Sequence, residues 1–186
     1  MLYLVRHGRT QANAEHRLQG RADHPLDEVG MQQVDALWSA MPAVDRVICS
    51  PLRRAQQTAA AFGIEPEIDE RWLELDYGVM EGVRLAEVPR EQMRRWIDDP
   101  DYAPAGGETL HELQARVWPA CEELIDDARQ RRVVVVTHAT PIRLAVAWAM
   151  GAEVATAWRC HVDHGSITEV AFRDRMPVLA GFNRVP

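Results

Sequence analysis

Val133-Val134-Val135-Val136-Thr137-His138 is the stretch that decides the fold. A run of β-branched residues with no polar alternation is typical of a strand buried on both faces of a parallel sheet. Two further runs, Leu2–Val5 and Val44–Cys49, are predicted to be strands of the same sheet. Strand and helix signals alternate along the rest of the chain, which indicates βα units around a mostly parallel sheet.

The three predicted strands all lead into side chains that are cationic or can become so. The first leads into Arg6 and His7, the second into Arg54, and the third into His138. Open α/β sheets bind ligands outside the carboxyl ends of their strands, so these side chains are expected to meet at one rim. Because they would repel one another there, an anion is expected among them, and phosphate is the first candidate.

Helix boundaries are predicted from capping residues. Ser50-Pro51 and Thr140-Pro141 each offer a hydroxyl N-cap followed by proline at the first helical position. These two helices are expected to end at Gly63 and at Met150. Thr109-x-x-Glu112 is a capping box that opens a third, long helix.

The remaining helix and strand boundaries are predicted from helix-breaking residues and from short runs of β-branched residues. A helix is expected from about Glu28, stopped by Pro42. A short edge strand is expected within Glu65–Asp69, and two final strands at Ser166–Phe172 and Pro177–Phe182. The chain shows no interdomain linker, so a single domain over residues 1–186 is expected, with an inserted helix and loop at about 84–108.

Composition excludes several classes of protein. The chain has 186 residues, of which 47% are apolar and 26% charged, as in soluble globular domains. It shows no transmembrane-length apolar stretch and no signal-peptide pattern. Cys49, Cys121 and Cys160 have no metal-type spacing. We therefore expect a protein of the reducing cytoplasm that binds no metal.

All 21 basic residues are arginine, and lysine is absent. This excludes a P-loop lysine, a pyridoxal Schiff base and the phosphate lysine of protein kinases. A net charge of -7 argues against nucleic acid and anionic membranes as partners. A small anionic molecule would instead be captured by a local cationic pocket.

The individual side chains also allow plainer interpretations. Arg53 and Arg54 lie at the start of a predicted helix, where cations oppose the helix dipole, so they serve either an ion pair or a bound anion. His7 is either a structural histidine or a nucleophile. Its arginine neighbour favours the unprotonated imidazole, Gly8 permits close backbone approach to a ligand, and the backbone amides of residues 8–10 are candidate phosphate donors.

Five short motifs are spread over nearly the whole chain. They are Arg6-His7-Gly8 with Thr10 and Asn13; Ser50-Pro51-Leu52-Arg53-Arg54-Ala55 with Thr58; Leu73-Glu74-Leu75-Asp76-Tyr77-Gly78; Pro104-Ala105-Gly106-Gly107-Glu108-Thr109; and Val136-Thr137-His138. In this order they resemble the signature of the histidine phosphatase superfamily, the phosphoglycerate mutase-like enzymes. The resemblance implies a three-layer α/β/α sandwich with a mostly parallel central sheet of about six strands.

The resemblance also implies a reaction. His7 would attack phosphorus and become a phosphohistidine, Arg6, Arg54 and His138 would bind the phosphoryl oxygens, and Glu74 would protonate the leaving group. The chemistry needs no metal and no cofactor. The plainer interpretation of Glu74 is an ion-pair partner in a cationic rim.

Four further residues are predicted contacts of the phosphate or the substrate. They are Asn13, Gln19, Glu108 and Ala139, the last through its backbone, and the alternative role for Gln19 and Glu108 is to order loops. The chain departs from the common family pattern at Arg9, Met80 and Ala139. None of these departures removes a catalytic group.

The implied function is a metal-independent phosphomonoesterase acting on small phosphorylated metabolites, as a monomer or homodimer. A cofactor-dependent phosphoglycerate mutase and a non-catalytic phosphoryl-binding module remain alternatives. A dinucleotide fold is excluded because Arg-His-Gly replaces the glycine fingerprint after the first strand. His161, Asp163 and His164 are either a metal site or, as we favour, part of a turn into a strand.

Overall fold

A single six-stranded sheet organises the computed structural model, which describes residues 1–186. The strands are β1 (Leu2–Arg6), β2 (Arg46–Cys49), β3 (Glu67–Ile68), β4 (Val133–Thr137), β5 (Ile167–Arg173) and β6 (Met176–Arg184). Their order across the sheet is β3-β2-β4-β1-β5-β6. β3, β2, β4 and β1 are parallel to one another, β5 pairs antiparallel with β1, and β6 pairs antiparallel with β5. The predicted mostly parallel sheet of six strands is confirmed.

The valine run occupies the centre of this sheet. β4 lies between β1 and β2, and all five of its residues are buried. Val133 and Val135 belong to the larger of two apolar cores, while Val134 and Val136 belong to the smaller one. Because successive side chains of a strand point to opposite faces, an apolar core on each face requires an unbroken apolar run.

Seven helices cover the sheet. They are α1 (Gln11–Ala14), α2 (Glu28–Ala40), α3 (Arg53–Ala59), α4 (Arg90–Asp98), α5 (Leu110–Glu123), α6 (Ile125–Gln130) and α7 (Ala139–Met150). Helices α5, α6 and α7 contribute to the larger core, and α2 and α3 to the smaller one. The predicted three-layer sandwich is confirmed. None of the helices combines the length and apolar character needed to cross a bilayer.

Several predicted boundaries are confirmed. α2 begins at Glu28 and ends two residues before Pro42. The Thr109 capping box opens α5 as expected. Gly63 and Gly151 both adopt the left-handed conformation at the ends of their helical segments. The short edge strand and the two final strands are present at the predicted places.

The predictions that the hydroxyl groups of Ser50 and Thr140 cap two helices are wrong. The N-cap of α3 is Leu52, and that of α7 is His138; neither helix start has a side-chain cap. Ser50 lies two residues before the N-cap of α3, and its hydroxyl bonds to His138 instead. His138, which follows β4, lies 2.8 Å from this hydroxyl, and the local amide that donates to it is that of Leu52, at 3.4 Å.

The segment at about 84–108 forms the predicted helix and loop. A 3-10 turn at Leu85–Glu87 precedes α4. Trp96 of α4 is buried, and its ring meets that of Tyr77 edge-on at 5.3 Å between centroids. This contact fixes α4 above the carboxyl ends of the parallel strands.

Candidate active site

The carboxyl ends of the three predicted strands bring their cationic side chains together. Nε of Arg54 lies 3.3 Å from Nε2 of His7 and 3.3 Å from Nδ1 of His138. The two imidazole centroids are 5.1 Å apart. All three side chains are buried. The expectation of a single rim for these residues is confirmed.

His7 is held in one tautomer. Its Nδ1 lies 2.6 Å from the carbonyl oxygen of Gly8, which can only accept, so Nδ1 carries the proton and Nε2 keeps its lone pair. Burial, followed by the nearby Arg54 and His138, lowers the pKa of His7 well below its usual value. A neutral imidazole with an unprotonated Nε2 at the cavity is what a nucleophilic histidine requires.

The backbone after His7 is not available to a phosphate. The amides of Gly8, Arg9 and Thr10 donate to side chains, namely Thr58 Oγ1 at 3.0 Å, Gln33 Oε1 at 2.8 Å and Asn13 Oδ1 at 3.2 Å. The predicted phosphate donors in this loop are therefore already satisfied. Glycine at position 8 also has a structural reason, since a Cβ there would lie 2.6 Å from the carbonyl oxygen of Gly30.

Arg54 carries a charge that the protein does not neutralise. Its two terminal nitrogens donate to the carbonyl oxygens of Ala22 and Gly20, each at 2.7 Å. No carboxylate lies within 4.0 Å of the guanidinium group of Arg54 or of Arg53, so the ion-pair interpretation of this pair is wrong. A buried guanidinium bound only to neutral acceptors favours an anionic ligand.

Arg6 is oriented by the loop before β5. One terminal nitrogen donates to the carbonyl oxygen of Val162, and the other lies 2.8 Å from Nε2 of His164. Burial lowers the pKa of Arg6 to about 10, which leaves it a cation at neutral pH. His164 therefore belongs to the site, whereas the sequence indicated only a turn. The antiparallel pairing of β5 with β1 places the start of β5 beside the end of β1, and this topology is the signal that would have found it.

His138 lies beneath the cavity, fully buried. Its Nε2 is 2.8 Å from Oγ of Ser50, while its Nδ1 faces the Nε–H of Arg54. Because Arg54 can only donate, His138 is neutral and donates its own proton to Ser50. Burial, then the charge of Arg54, lowers the pKa of His138 well below its usual value. Ser50 is a second site residue that sequence reasoning assigned to a different role.

Glu74 faces the same cavity as His7 and Arg6. Its Oε1 accepts from the backbone amides of Leu75 at 2.8 Å and Thr140 at 3.3 Å. The side chain is buried and forms no ion pair within 4.0 Å, so the ion-pair interpretation of Glu74 is wrong. Two backbone amides therefore hold the carboxyl group through Oε1, and its second oxygen, Oε2, has no hydrogen-bond partner in the protein.

Glu108 does not line the cavity. Its two carboxylate oxygens accept from Arg116 at 2.7 and 2.8 Å, and Arg116 in turn donates to the carbonyl oxygens of Leu73 and Glu74 at 2.8 and 3.1 Å. The predicted substrate contact is thus replaced by a positioning chain that holds the Glu74 segment.

The cavity has a volume of about 340 Å³ and two dissimilar ends. Asn13, Gln19 and Ala139 line it together with the residues around His7. Oε1 of Gln19 is buried without a hydrogen-bond partner, and Oδ1 of Asn13 is taken by Thr10. The other end is walled by apolar side chains, which are Leu85, Met93, Trp96, Ile97 and Trp158.

No group of three His, Cys, Asp or Glu side chains is close enough together to hold a metal ion. His161 bonds to Asp163 at 3.0 Å, while His164 turns to Arg6. The alternative of a metal site at these three residues is therefore wrong.

A family model for the histidine phosphatase superfamily (branch 1) matches residues 2–185. The chain belongs to this superfamily. Among histidine phosphatase relatives, a phosphoserine phosphatase 1 of Hydrogenobacter thermophilus is 30% identical over 98% of this chain and 91% of its own. A probable phosphoglycerate mutase of Salmonella newport is 30% identical over 97% and 89%. The structure of a mycobacterial glucosyl-3-phosphoglycerate phosphatase with VO3 superposes with a TM-score of 0.87, at 28% identity and 98% coverage of both chains.

A longer relative is also similar to this histidine phosphatase chain. A bifunctional protein of Mycobacterium tuberculosis is 33% identical over 181 residues, which are 92% of this chain and 50% of that protein. The chain spans about half the length of the mycobacterial proteins it matches in this way.

Proposed function

We propose that the protein is a metal-independent phosphomonoesterase that hydrolyses small phosphorylated metabolites through a phosphohistidine intermediate. The observation that carries this proposal is the 3.3 Å contact between Nε2 of His7 and the uncompensated guanidinium of Arg54, in a cavity also lined by Glu74. A nucleophile, a cationic cradle and a carboxyl group thus share one small space. Relatives named as phosphatases support the same reaction.

In the first step, Nε2 of His7 attacks phosphorus and the ester P–O bond breaks. Arg6 and Arg54 stabilise the charge on the non-bridging oxygens, which matches the planar donor fork of arginine. Glu74 gives its proton to the departing alkoxide. The Nδ1–H of His7 keeps its bond to Gly8 and stabilises the imidazolium character that develops on the ring.

In the second step, water attacks the phosphohistidine. Glu74, now a carboxylate, removes a proton from that water, the N–P bond breaks, and inorganic phosphate leaves with His7 neutral again. Each group returns to its starting protonation state after one turnover. Neither a metal nor an organic cofactor takes part in this scheme.

The cap segment favours hydrolysis over mutase chemistry. A mutase must keep its phosphohistidine away from water, which requires a closed lid. Here the segment above the cavity contains one nine-residue helix, α4, and Leu85 and Ile97 at the cavity wall remain about half exposed. Isomerisation of 3-phosphoglycerate, measured with and without 2,3-bisphosphoglycerate, tests the mutase alternative directly.

Purified protein incubated with p-nitrophenyl phosphate and a chelator tests the proposal. We expect turnover that the chelator does not reduce, loss of turnover in His7→Ala, and a +80 Da adduct on His7 in quenched mixtures. Absence of turnover in the wild-type protein would instead favour the non-catalytic phosphoryl-binding module.

The proposal extends to the organisation of the protein. We propose that residues 1–186 form a single catalytic domain whose substrate cap is the segment at about 84–108, and that it works in the cytoplasm as a monomer or homodimer. The family match over residues 2–185 supports the single domain. The net charge of -7 supports a small-molecule partner over nucleic acid or a membrane surface.

A further inference from the structure

Arg143 is the arginine of the cavity that no protein group engages. Arg6, Arg17 and Arg54 also line the cavity, and each donates to fixed acceptors. Arg143 makes no hydrogen bond and has no carboxylate within 4.0 Å, and its Nε is buried without a partner. Removing a guanidinium partly from water without an acceptor is unfavourable, so an acceptor is expected from outside the chain.

Arg143 lies beyond the end of the cavity around His7, where the phosphoryl group would bind. It follows Ala139 by one turn of α7, so both residues share the helix face that lines the cavity. Its guanidinium carbon lies 5.9 Å from the centroid of the Trp158 ring. Trp158 belongs to the apolar wall, where the leaving group of a phosphomonoester would be placed.

The charge of the cavity also exceeds what one phosphoryl group needs. A phosphate monoester carries close to two negative charges at neutral pH, and Arg6 and Arg54 supply two positive ones beside His7. Arg17 is paired with Glu15 at 2.7 Å, so Arg143 adds a third uncompensated charge. Met93, Trp96 and Trp158 surround this outer region with apolar surface, which lowers the local dielectric and strengthens a charge-assisted contact.

We infer that Arg143 binds a second anionic group, a carboxylate or a further phosphate, on the leaving group of the substrate. The preferred substrates are then phosphomonoesters that carry another anion. This inference rests on the proposed phosphatase function, because it assigns a partner to the leaving group of that reaction. The planar donor fork of arginine suits either anion.

Matched substrates isolate the second anion. O-phosphoserine and O-phosphoethanolamine differ by one carboxylate, and fructose 1,6-bisphosphate and fructose 6-phosphate differ by one phosphate. For the wild-type protein we expect kcat/KM to favour the member with the extra anion in at least one pair, and the pair that shows it identifies the anion. In Arg143→Gln, we expect that preference to fall by roughly 10- to 100-fold, the range for a hydrogen bond to a charged group.

Two variants serve as controls for the charge. Arg143→Lys keeps the charge without the fork and should restore part of the preference. Arg159→Gln removes the same charge from an exposed position outside the cavity and should leave the preference intact. A preference that survives in Arg143→Gln, or one that is absent from the wild-type protein, overturns the inference. Equal losses for both members of a pair would assign Arg143 to the reacting phosphoryl group and also overturn it.

A binding measurement separates this inference from the proposed function. Calorimetric titration of His7→Ala with O-phosphoserine and O-phosphoethanolamine reports affinity without turnover. If the wild-type protein hydrolyses no phosphomonoester, the phosphatase proposal fails, yet tighter binding of O-phosphoserine that depends on Arg143 would still support the second anion site. Equal affinities, or a difference that Arg143→Gln does not reduce, would contradict it.

Discussion

Nε2 of His164 accepts from a terminal nitrogen of Arg6 across 2.8 Å, although the two residues are 158 positions apart in the chain. The imidazole of His164 also lies edge-on to that of His7, at 5.9 Å between centroids. Burial, then the charge of Arg6, lowers the pKa of His164 to about 3, so this acceptor stays neutral in ordinary buffers. One loop before β5 therefore holds the guanidinium of Arg6 beside His7.

Removing His164 should loosen Arg6. In His164→Ala we expect kcat/KM for p-nitrophenyl phosphate to fall about 10-fold, the equivalent of one charge-assisted hydrogen bond. His164→Asn keeps an acceptor oxygen and should recover part of that loss. Steady-state kinetics of the two variants, with melting curves to compare their folding, check this prediction. Equal activities for the alanine and asparagine variants would rule out the accepting role.

Acid should destabilise the protein below the usual pKa of histidine. His7, His138 and His164 have lowered pKa values in the fold, while in the unfolded chain they titrate near 6.5. The unfolded state therefore binds more protons below that pH, and stability is lost as the pH falls. Between pH 7.5 and 5.5 we expect the free energy of unfolding to fall, with about 1.4 kcal/mol of that loss from His164 and a further loss from His7 and His138.

Urea denaturation at several pH values measures this dependence. His164→Asn removes one of the three groups and should reduce the loss by about 1.4 kcal/mol. A free energy of unfolding that stays constant over this range would show that the pKa values of these histidines are not lowered in the folded state.

Glu74 is expected to act through proton transfer. In Glu74→Gln the carboxamide cannot donate a proton to the alkoxide, so we expect kcat to fall by about 10² to 10⁴. The loss should be smaller for p-nitrophenyl phosphate, whose leaving group needs little protonation, than for an alkyl phosphate. Parallel kinetics with the two esters provide the check. A uniform loss for both would point to binding instead of acid catalysis.

Glu108 is expected to affect the Glu74 segment through Arg116. Glu108→Gln weakens a bidentate, largely buried ion pair, and we expect the free energy of unfolding to fall by about 1–3 kcal/mol. We also expect kcat to fall while KM changes little, because Glu108 does not line the cavity. Glu112→Gln, which affects the capping box of the same helix, is a matched control for stability. A rise in KM alone would restore Glu108 as a substrate contact.

Much of the fold could be predicted because its determinants are local. The run Val133–Val136 indicates a strand that is buried on both faces. The Thr109 capping box indicates a helix start through hydrogen bonds between residues three positions apart. The cluster of His7, Arg54 and His138 followed from one further rule, that parallel strands present their carboxyl ends at the same rim. The same motifs also predicted the family and the place of Glu74.

Other features of the site required the tertiary structure. Ser50 looked like a helix cap until the fold placed it against His138, 88 positions away in the chain. Glu108 looked like a substrate contact until Arg116 took both of its oxygens. The free guanidinium of Arg143 is recognisable only when every neighbouring acceptor is known.

The amino-acid sequence alone therefore determined the mostly parallel sheet, because side-chain periodicity acts over a few residues. Its motifs, through their resemblance to a known family, also indicated the layered fold, the family and the identity of the chemical groups. Only the tertiary structure decided which tautomer His7 adopts, what orients Arg6, and which arginine remains without a partner. Those properties depend on hydrogen bonds and burial between segments far apart in the chain. Such contacts leave no local pattern, since each partner alone is compatible with several roles.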